Sequence, residues 1–400
     1  MKNKQNFVAV QQHFLSHYRE RIFSLMSSQE SPLPHYTFFS DTTSAEGIVT
    51  IEKKILVSDV VNGKGIRWKP VTNVMIGKVI LFQTKIIGIA FLRKYDCIIY
   101  LGCMYHVTTW ISALLAKLFG KRVLMWTHGY LKEEKGFKGY VREIFYRLAD
   151  GLLLYGNRGR SLLINRGFHP DKLYVVYNSL NYDLQKSIRK IWDVPRLKTL
   201  RCEHFSSPDL PVLVFTGRLT KQKRLDLIFS AQMKLQTMGV MVNVLILGDG
   251  PDKQNLMNFV DSSNLTAYVK FFGACYDENI IGPLLMMSDI CVSPGEVGLT
   301  CIHSLAYGTP VITHDDPERQ VPEWEAIVPG LTGALFAIGD FNALAHSILD
   351  WLNNGLTREV VASNCICTIE KFYTPESQLS VINRAVAGLP AENTSSALSL

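Results

Sequence analysis

Four hundred residues, 47% hydrophobic and 19% charged, are too many for one ordinary core and suit two domains of about 200 residues each. Eight scattered cysteines, with Cys365 and Cys367 the only close pair and no CxxC, argue against a disulfide framework or zinc site and fit a reducing cytoplasm. The net charge of +7 hides an asymmetry: residues 1–200 carry 30 Lys and Arg against 14 Asp and Glu, a net +16, whereas residues 201–400 carry 12 against 21, a net −9.

In chain order, MKNKQNFVAV has a basic head but no apolar region long enough for a secretory signal. FVAVQQ at 7–12 reads as a strand, HFLSHYRE at 13–20 as the loop after it, and YTFFS at 36–40 as a second strand. KVILFQTKIIGIAFLRK at 78–94 mixes long apolar and basic side chains. Lys78, Gln83 and Lys85 interrupt the apolar stretch 74–92, so no membrane span is expected. The mixture suits an anionic membrane surface or a polyanionic lipid-pyrophosphate acceptor; the alternative is a buried amphipathic helix over 74–92 whose lysines are merely solvated. Nucleic acid ranks lower, because no zinc-finger, RRM or basic-zipper pattern is present.

Strands follow at 96–102 (DCIIYLG), 122–129 (RVLMWTHG), 150–156 (DGLLLYG) and within KLYVVYNSLN at 172–181, with a helix through 111–118 between the first two. Polar residues, Pro195 and an SSPD turn make 182–211 a domain boundary. Beyond it, VLVF at 212–215 is a buried parallel strand ending in Thr216 and Gly217, with Arg218 and Lys223 at its C-terminal edge, where open α/β sheets bind ligands. A guanidinium with an ammonium five residues on suits a diphosphate. VNVLILGDG at 242–250 repeats the strand-then-glycine pattern. A third strand, DICVSPG at 289–295, opens into Glu296, Gly298 and a helix beginning near Leu299, whose free N–H groups favour an anion. The tail 386–400 reads as frayed.

The ordered set from Gly217 to PGEVGLTCIHSLAYGTPVI resembles the C-terminal domain of retaining GT-B glycosyltransferases, the group that includes bacterial mannosyltransferases and glycogen synthase. The resemblance implies two doubly wound parallel-sheet, Rossmann-like domains facing a cleft: 1–190 binding acceptor, 205–375 binding a nucleotide diphosphate-sugar, and 376–400 a terminal helix and frayed tail. It implies that Arg218 and Lys223 meet the donor pyrophosphate, that Glu296 (or Gly295, if the alignment carries no gap) stands where the sugar is contacted, and that the amides of Leu299 and Thr300 contact phosphate, with Gly217 and Gly298 also in the donor site. The family's ribose-binding Glu is missing, and the anchors Gly298, Leu299, Ala306, Gly308, Pro310 and Val311 place His303 there, with the preceding loop one residue short. His128 in WTHGY matches the sugar-facing His of relatives, and the glycine-rich loop many relatives carry after the first strand is replaced by QQHFLSHYRE, where Tyr18 and Arg19 are candidates for acceptor phosphate.

Plainer readings stand beside these. Arg218 and Lys223 could be a solvated helix start, Glu296 a helix cap, His303 an interior histidine, His128 a structural hydrogen-bonding residue, and Arg19 an ordinary exposed side chain. The implied activity is sugar transfer with retention to a lipid-linked glycan or polysaccharide, in surface glycan biosynthesis at the inner face of the plasma membrane. It needs no cofactor and no metal: Asp315-Asp316 lies beyond the third strand, and Asp249 and Asp252 are too widely spaced for a DxD pair. Two alternatives are a non-catalytic nucleotide-sugar-binding protein of the same fold and, lower, an NAD-dependent oxidoreductase, which needs a GxGxxG that FVAVQQHFLSHY lacks.

Overall fold

The computed structural model describes residues 6–42, 49–60, 64–77 and 80–392. The chain divides into two units, one built on Met1–Asn181 and Thr374–Thr394, the other on Tyr182–Tyr373. The apolar runs of the first half form β1 (Phe7–Phe14), β2 (His35–Asp41), β3 (Leu56–Val57), β4 (Ile66–Pro70), a hairpin of β5 (Asn73–Ile76) and β6 (Ile80–Gln83), then β7 (Cys97–Leu101), β8 (Arg122–Thr127), β9 (Gly151–Leu154) and β10 (Leu173–Val175). Eight of these make one sheet in the order β10-β9-β8-β7-β1-β2-β4-β3, with every pair parallel.

Alternation within the central strands builds a core on each face. Val8 and Val10 join Tyr36, Phe38, Ile99, Leu124 and Trp126 on one side, whereas Ala9 joins Ile98, Tyr100, Val123 and Met125 on the other. The first face is covered by helices Glu20–Ser27 and Pro375–Val386, which pack on each other. The terminal helix thus belongs to the first unit rather than standing apart. Leu379, Ile382, Ala385 and Val386 are buried in that core, Tyr36 donates to Asn383 Oδ1 at 2.7 Å, and Ser179 donates to Gln378 Oε1 at 2.7 Å.

The second unit contains β11 (Val212–Thr216), β12 (Asn243–Leu247), β13 (Val269–Gly273), β14 (Ile290–Ser293), β15 (Val311–His314) and β16 (Gly333–Phe336). Its parallel sheet runs β13-β12-β11-β14-β15-β16, so strand order reverses between β11 and β14, the position at which such sheets open a ligand crevice. The expected third strand, β14, is the fourth in sequence, because β13 precedes it at the sheet edge.

Two further expectations change. The stretch 74–92 is the β5–β6 hairpin followed by the short helix Ile86–Ile89, not one amphipathic helix; β-branched Val and Ile and the positive φ of Gly77 and Lys85 favour that path, and Lys78 lies outside the described residues. The boundary expected over 182–211 falls at its first residue, and 182–204 forms two helices of the second unit, Tyr182–Ile191 and Val194–His204. Residues 182–190 therefore leave the first domain. Pro195 is the start signal of the second helix: Asp193 caps it by accepting from Arg196 N at 3.0 Å, and proline is tolerated in the first turn. Tyr182 donates to Glu370 at 2.6 Å, and Arg201 pairs with Asp289 at 2.7 Å, holding both helices to this unit. Among the described residues, no helix is long and apolar enough to cross a membrane. The residues 393–400 of the expected frayed tail lie outside the described residues.

Candidate active site

In the second unit, β11 ends at the central reversal of the sheet and hands the chain to Gly217 and an exposed Arg218. A 3-10 turn, Lys221–Lys223, follows, and Lys223 Nζ donates to the carbonyl oxygen of Glu296 at 2.5 Å, across from β11 to the exit of β14. The amide of Gly295 returns the link by donating to Lys223 O at 3.1 Å. This approach demands glycine: a Cβ at 295 would stand 2.2 Å from the carbonyl oxygen of Gln222. The GDGP turn lies against the same loop, since Leu219 N donates to Asp249 O at 2.9 Å and a Cβ at Gly250 would stand 2.2 Å from Leu219 O. Three loops are thus laced together at one edge of the sheet, with Arg218 and Lys223 on the first and Glu296 on the third.

Desolvation lowers the Lys223 ammonium below its usual pKa, opposed by the charges of Glu296 and Glu323. Beyond Glu296, the chain is shaped by Gln320, whose Oε1 accepts from Val297 N at 3.1 Å while its Nε2 donates to Thr313 Oγ1 at 2.8 Å. Gly298 and Leu299 lead into the helix Thr300–Ala306, and the Thr300 hydroxyl donates to Thr216 O at 2.8 Å, fixing the helix start to the end of β11. Gln320 carries no motif; its role shows only once the loop is folded.

His303 sits on that helix, half-buried, with Nε2 3.1 Å from Oε2 of Glu278. Tyr307 donates its hydroxyl to the same oxygen at 2.8 Å. Burial would raise the Glu278 carboxyl, but His303, Tyr307 and Gln185 outweigh it and hold the group below the usual carboxylate value. An ionised carboxylate only accepts, so His303 carries its proton on Nε2 and leaves Nδ1 as its other hydrogen-bonding atom. Glu278 opens the helix Glu278–Met286, 25 positions before His303, and no local spacing links the two.

In the first unit, His128 follows β8 in a turn fixed by Thr127, which donates to Gly102 O at 3.0 Å and accepts from Gly129 N at 3.2 Å. His128 is exposed, with its ring centroid 4.6 Å from that of Tyr155. Desolvation by the surrounding protein, and then the Arg19 charge, lower its pKa to about 4, so it is neutral near pH 7. Arg19 is not an ordinary surface residue: it is 7% exposed and its guanidinium lies over Trp126. Tyr18 sets its ring edge-on to His17 at 5.8 Å instead. Nearby, the half-buried His13 and the buried His106 approach ring to ring at 5.7 Å, and burial followed by His13 lowers His106 to about 4.

Among the described residues, no group of three or more His, Cys, Asp or Glu side chains is placed to hold a metal ion, and all eight cysteines are free.

Known proteins resemble this chain in sequence and in fold. Residues 198–365 match the family model for glycosyl transferases group 1. A GDP-mannose-dependent alpha-(1-6)-phosphatidylinositol dimannoside mannosyltransferase of Mycobacterium tuberculosis is 30% identical over 122 residues, 30% of this chain and 31% of that protein. The matched part thus spans about a third of that relative. Among solved structures, Anabaena Alr3699/HepE in complex with UDP superimposes with a TM-score of 0.72 at 15% identity, over 96% of this chain and 100% of that one. A glycosyltransferase from Rickettsia africae does so with a TM-score of 0.72 at 17% identity, over 98% and 100%. The second half of the chain thus matches the glycosyl transferases group 1 model over 198–365, and the fold is GT-B, with two Rossmann-like parallel sheets.

Proposed function

We propose that this protein transfers a sugar, with retention at the anomeric carbon, from a nucleotide diphosphate-sugar held by the second unit to a lipid-linked or polysaccharide acceptor held by the first. The observation that carries this reading is the loop pair at the sheet reversal, where the Lys223 ammonium donates to the Glu296 carbonyl from the loop that also carries the exposed Arg218. Two cationic side chains there match the charge that grows on a departing diphosphate, the dominant demand of an oxocarbenium-like transition state. The sugar C1–O bond to the diphosphate breaks, the acceptor oxygen bonds to C1, and its proton passes to the departing diphosphate. Neutral His128 is suited to a sugar hydroxyl, and Glu296 to another, while the amides of Gly298, Leu299 and Thr300 meet phosphate. His303, oriented by Glu278, offers Nδ1 to the ribose in place of a carboxylate. The donor's charge is met by side chains, so no cofactor or metal is assigned.

The same reading places the protein at the inner face of the plasma membrane, in surface glycan synthesis. Ile111, Leu114 and Leu118 on the helix Val107–Leu118 are 45%, 52% and 73% exposed. Exposed Phe91 and Phe119 pack ring to ring at 5.1 Å beside exposed Arg93 and Lys117. Apolar anchors with basic neighbours are the two signals that reversible binding to an anionic surface needs.

A non-catalytic nucleotide-sugar-binding role is the second reading, favoured by the His303–Glu278 pair where the family pattern has a Glu. Mass spectrometry of the full chain incubated with a panel of nucleotide-sugars and extracted polyprenyl lipids separates the two. A glycosylated lipid supports the enzyme; tight nucleotide-sugar binding without product across the panel supports the second reading.

A further inference from the structure

Asp96 precedes β7 and Lys121 precedes β8, so both stand at the N-terminal edge of the first sheet, opposite the edge at which β8 runs out to His128. With Arg93 they line a cavity of about 300 Å³ whose walls include Phe91 and Phe119. Lys121 is 9% exposed, and its ammonium donates to Leu92 O at 2.7 Å and to Tyr95 O at 2.5 Å. An ammonium has three N–H donors, so one is left over. Arg93 is exposed, and among the described residues neither cation forms an ion pair with a carboxylate. Asp96, the one acid of the lining, accepts from Phe7 N at 3.3 Å.

Two cations against one carboxylate leave the cavity positive, and a buried ammonium holds an anion more strongly than a solvated one because little water screens it. The ligand is thus anionic. A cavity at the small end of ligand pockets, which run from roughly 300 to 1,000 Å³, admits a headgroup and little more. The chain around it is apolar and open: Phe91, Leu92, Leu118 and Phe119 are 52%, 45%, 73% and 57% exposed, and the rings of Phe91 and Phe119 meet at 5.1 Å. A free anion makes no use of these side chains, whereas the chains of a lipid take them out of water.

We infer that this cavity binds the phosphodiester headgroup of one anionic phospholipid, whose acyl chains leave across Phe91 and Phe119. The lipid as the source of the anion rests on the membrane placement proposed above. A saturable site for a single lipid differs from diffuse attraction to a charged surface, which has no stoichiometry.

Isothermal titration tests it on the full chain carrying Arg218→Ala and Lys223→Ala, so that the donor loop does not capture phosphate, with monomeric dihexanoyl phosphatidylglycerol, dihexanoyl phosphatidylcholine and glycerol 3-phosphate. One phosphatidylglycerol per chain is expected. It should bind at least about tenfold more tightly than phosphatidylcholine, since each of two cations contributes about fivefold, and at least about tenfold more tightly than glycerol 3-phosphate, which lacks the chains. Arg93→Gln should lower the preference between the two lipids about fivefold and Arg93→Glu should remove it, both at an exposed side chain that leaves the Lys121 bonds to the backbone in place. Equal binding of the two lipids, glycerol 3-phosphate as tight as phosphatidylglycerol, or a preference untouched by Arg93→Glu would each overturn the site. Sedimentation with vesicles of equimolar phosphatidylglycerol and phosphatidylcholine separates this site from the membrane placement. Pelleting without saturable binding of the monomeric lipid removes the site and leaves the placement, while saturable binding without pelleting removes the placement and leaves the site.

Discussion

Installing at 303 the glutamate that the family pattern carries would set a second carboxylate against Glu278, where an imidazole now lies 3.1 Å from Oε2. Over roughly 3–5 Å at an effective dielectric near 20, two like charges repel by about 3–5 kcal/mol, a large share of the ~5–15 kcal/mol that stabilises a typical protein. The His303 and Glu278 side chains are only 15% and 23% exposed, so water screens the pair in part. His303→Glu is therefore expected to lower the urea midpoint of the second unit at about pH 7.5, with a pH dependence of opposite sign to the native one. In the native protein the Glu278 carboxyl, which burial would raise, is held low by His303, Tyr307 and Gln185; its stabilisation is present above the unfolded pKa and is lost as pH falls through the folded one. In the variant, one carboxyl of the pair is pushed above its unfolded value. Its penalty is then full at higher pH and fades as protonation relieves the repulsion toward about pH 5. Adding Glu278→Gln removes the like charge and should recover most of the loss, giving a coupling that a double-mutant cycle reads directly. Urea unfolding of the four proteins, followed by tryptophan fluorescence at about pH 7.5 and about pH 5.5, makes the measurement. A His303→Glu midpoint equal to that of the native chain at both pH values would refute the argument.

Arg218→Ala and Lys223→Ala should each reduce turnover by roughly 10² to 10³ with the fold intact, since each removes a charge from the proposed diphosphate site. Near-normal turnover in both would exclude this loop as the donor site. Activity is expected to survive EDTA, because the proposed site meets the donor charge with side-chain cations; complete loss reversed by magnesium or manganese would contradict that. Replacing Lys78, Lys85, Arg93 and Lys94 with Gln should weaken pelleting with anionic liposomes by up to about 1 kcal/mol per residue and leave neutral ones nearly unaffected, whereas Leu118→Ser with Phe119→Ser should weaken both. Unchanged sedimentation of both variants would remove this face as the anchor.

Where a strand is central, its buried run is visible in the sequence: Val212–Thr216, Asn243–Leu247 and Ile290–Ser293 are nearly all buried, and so read as unbroken apolar segments. Val269–Gly273 and Gly333–Phe336 lie at the two sheet edges with half-exposed side chains, one carrying Lys270, and so lack that signature. Pro195 looked like a break because proline marks helix starts as well as helix ends, and only the Asp193 cap distinguishes the two. Site residues followed the same division. Arg218, Lys223, Glu296 and His128 stand beside strand exits and glycines, where position alone suggests a role. Glu278 and Gln320 act through folded neighbours, and Arg19 was read as either acceptor contact or surface residue because nothing in QQHFLSHYRE reveals that Trp126 and Tyr155, from distant segments, join the neighbouring Phe23 around it.

The return of the chain's end to the first unit sets an order of events at the ribosome. Residues 1–181 emerge with one face of their sheet still missing the helix Pro375–Val386, so Trp126, Tyr36 and Phe38 have an incomplete cover until roughly 190 further residues are made, about 10–40 s at ordinary elongation rates. The second unit, contiguous from Tyr182 to Tyr373, has its whole sequence available before that helix appears. Completion of the nascent protein thus runs opposite to the order of synthesis, with the half made first finishing last and holding an apolar surface open to chaperones in the interval.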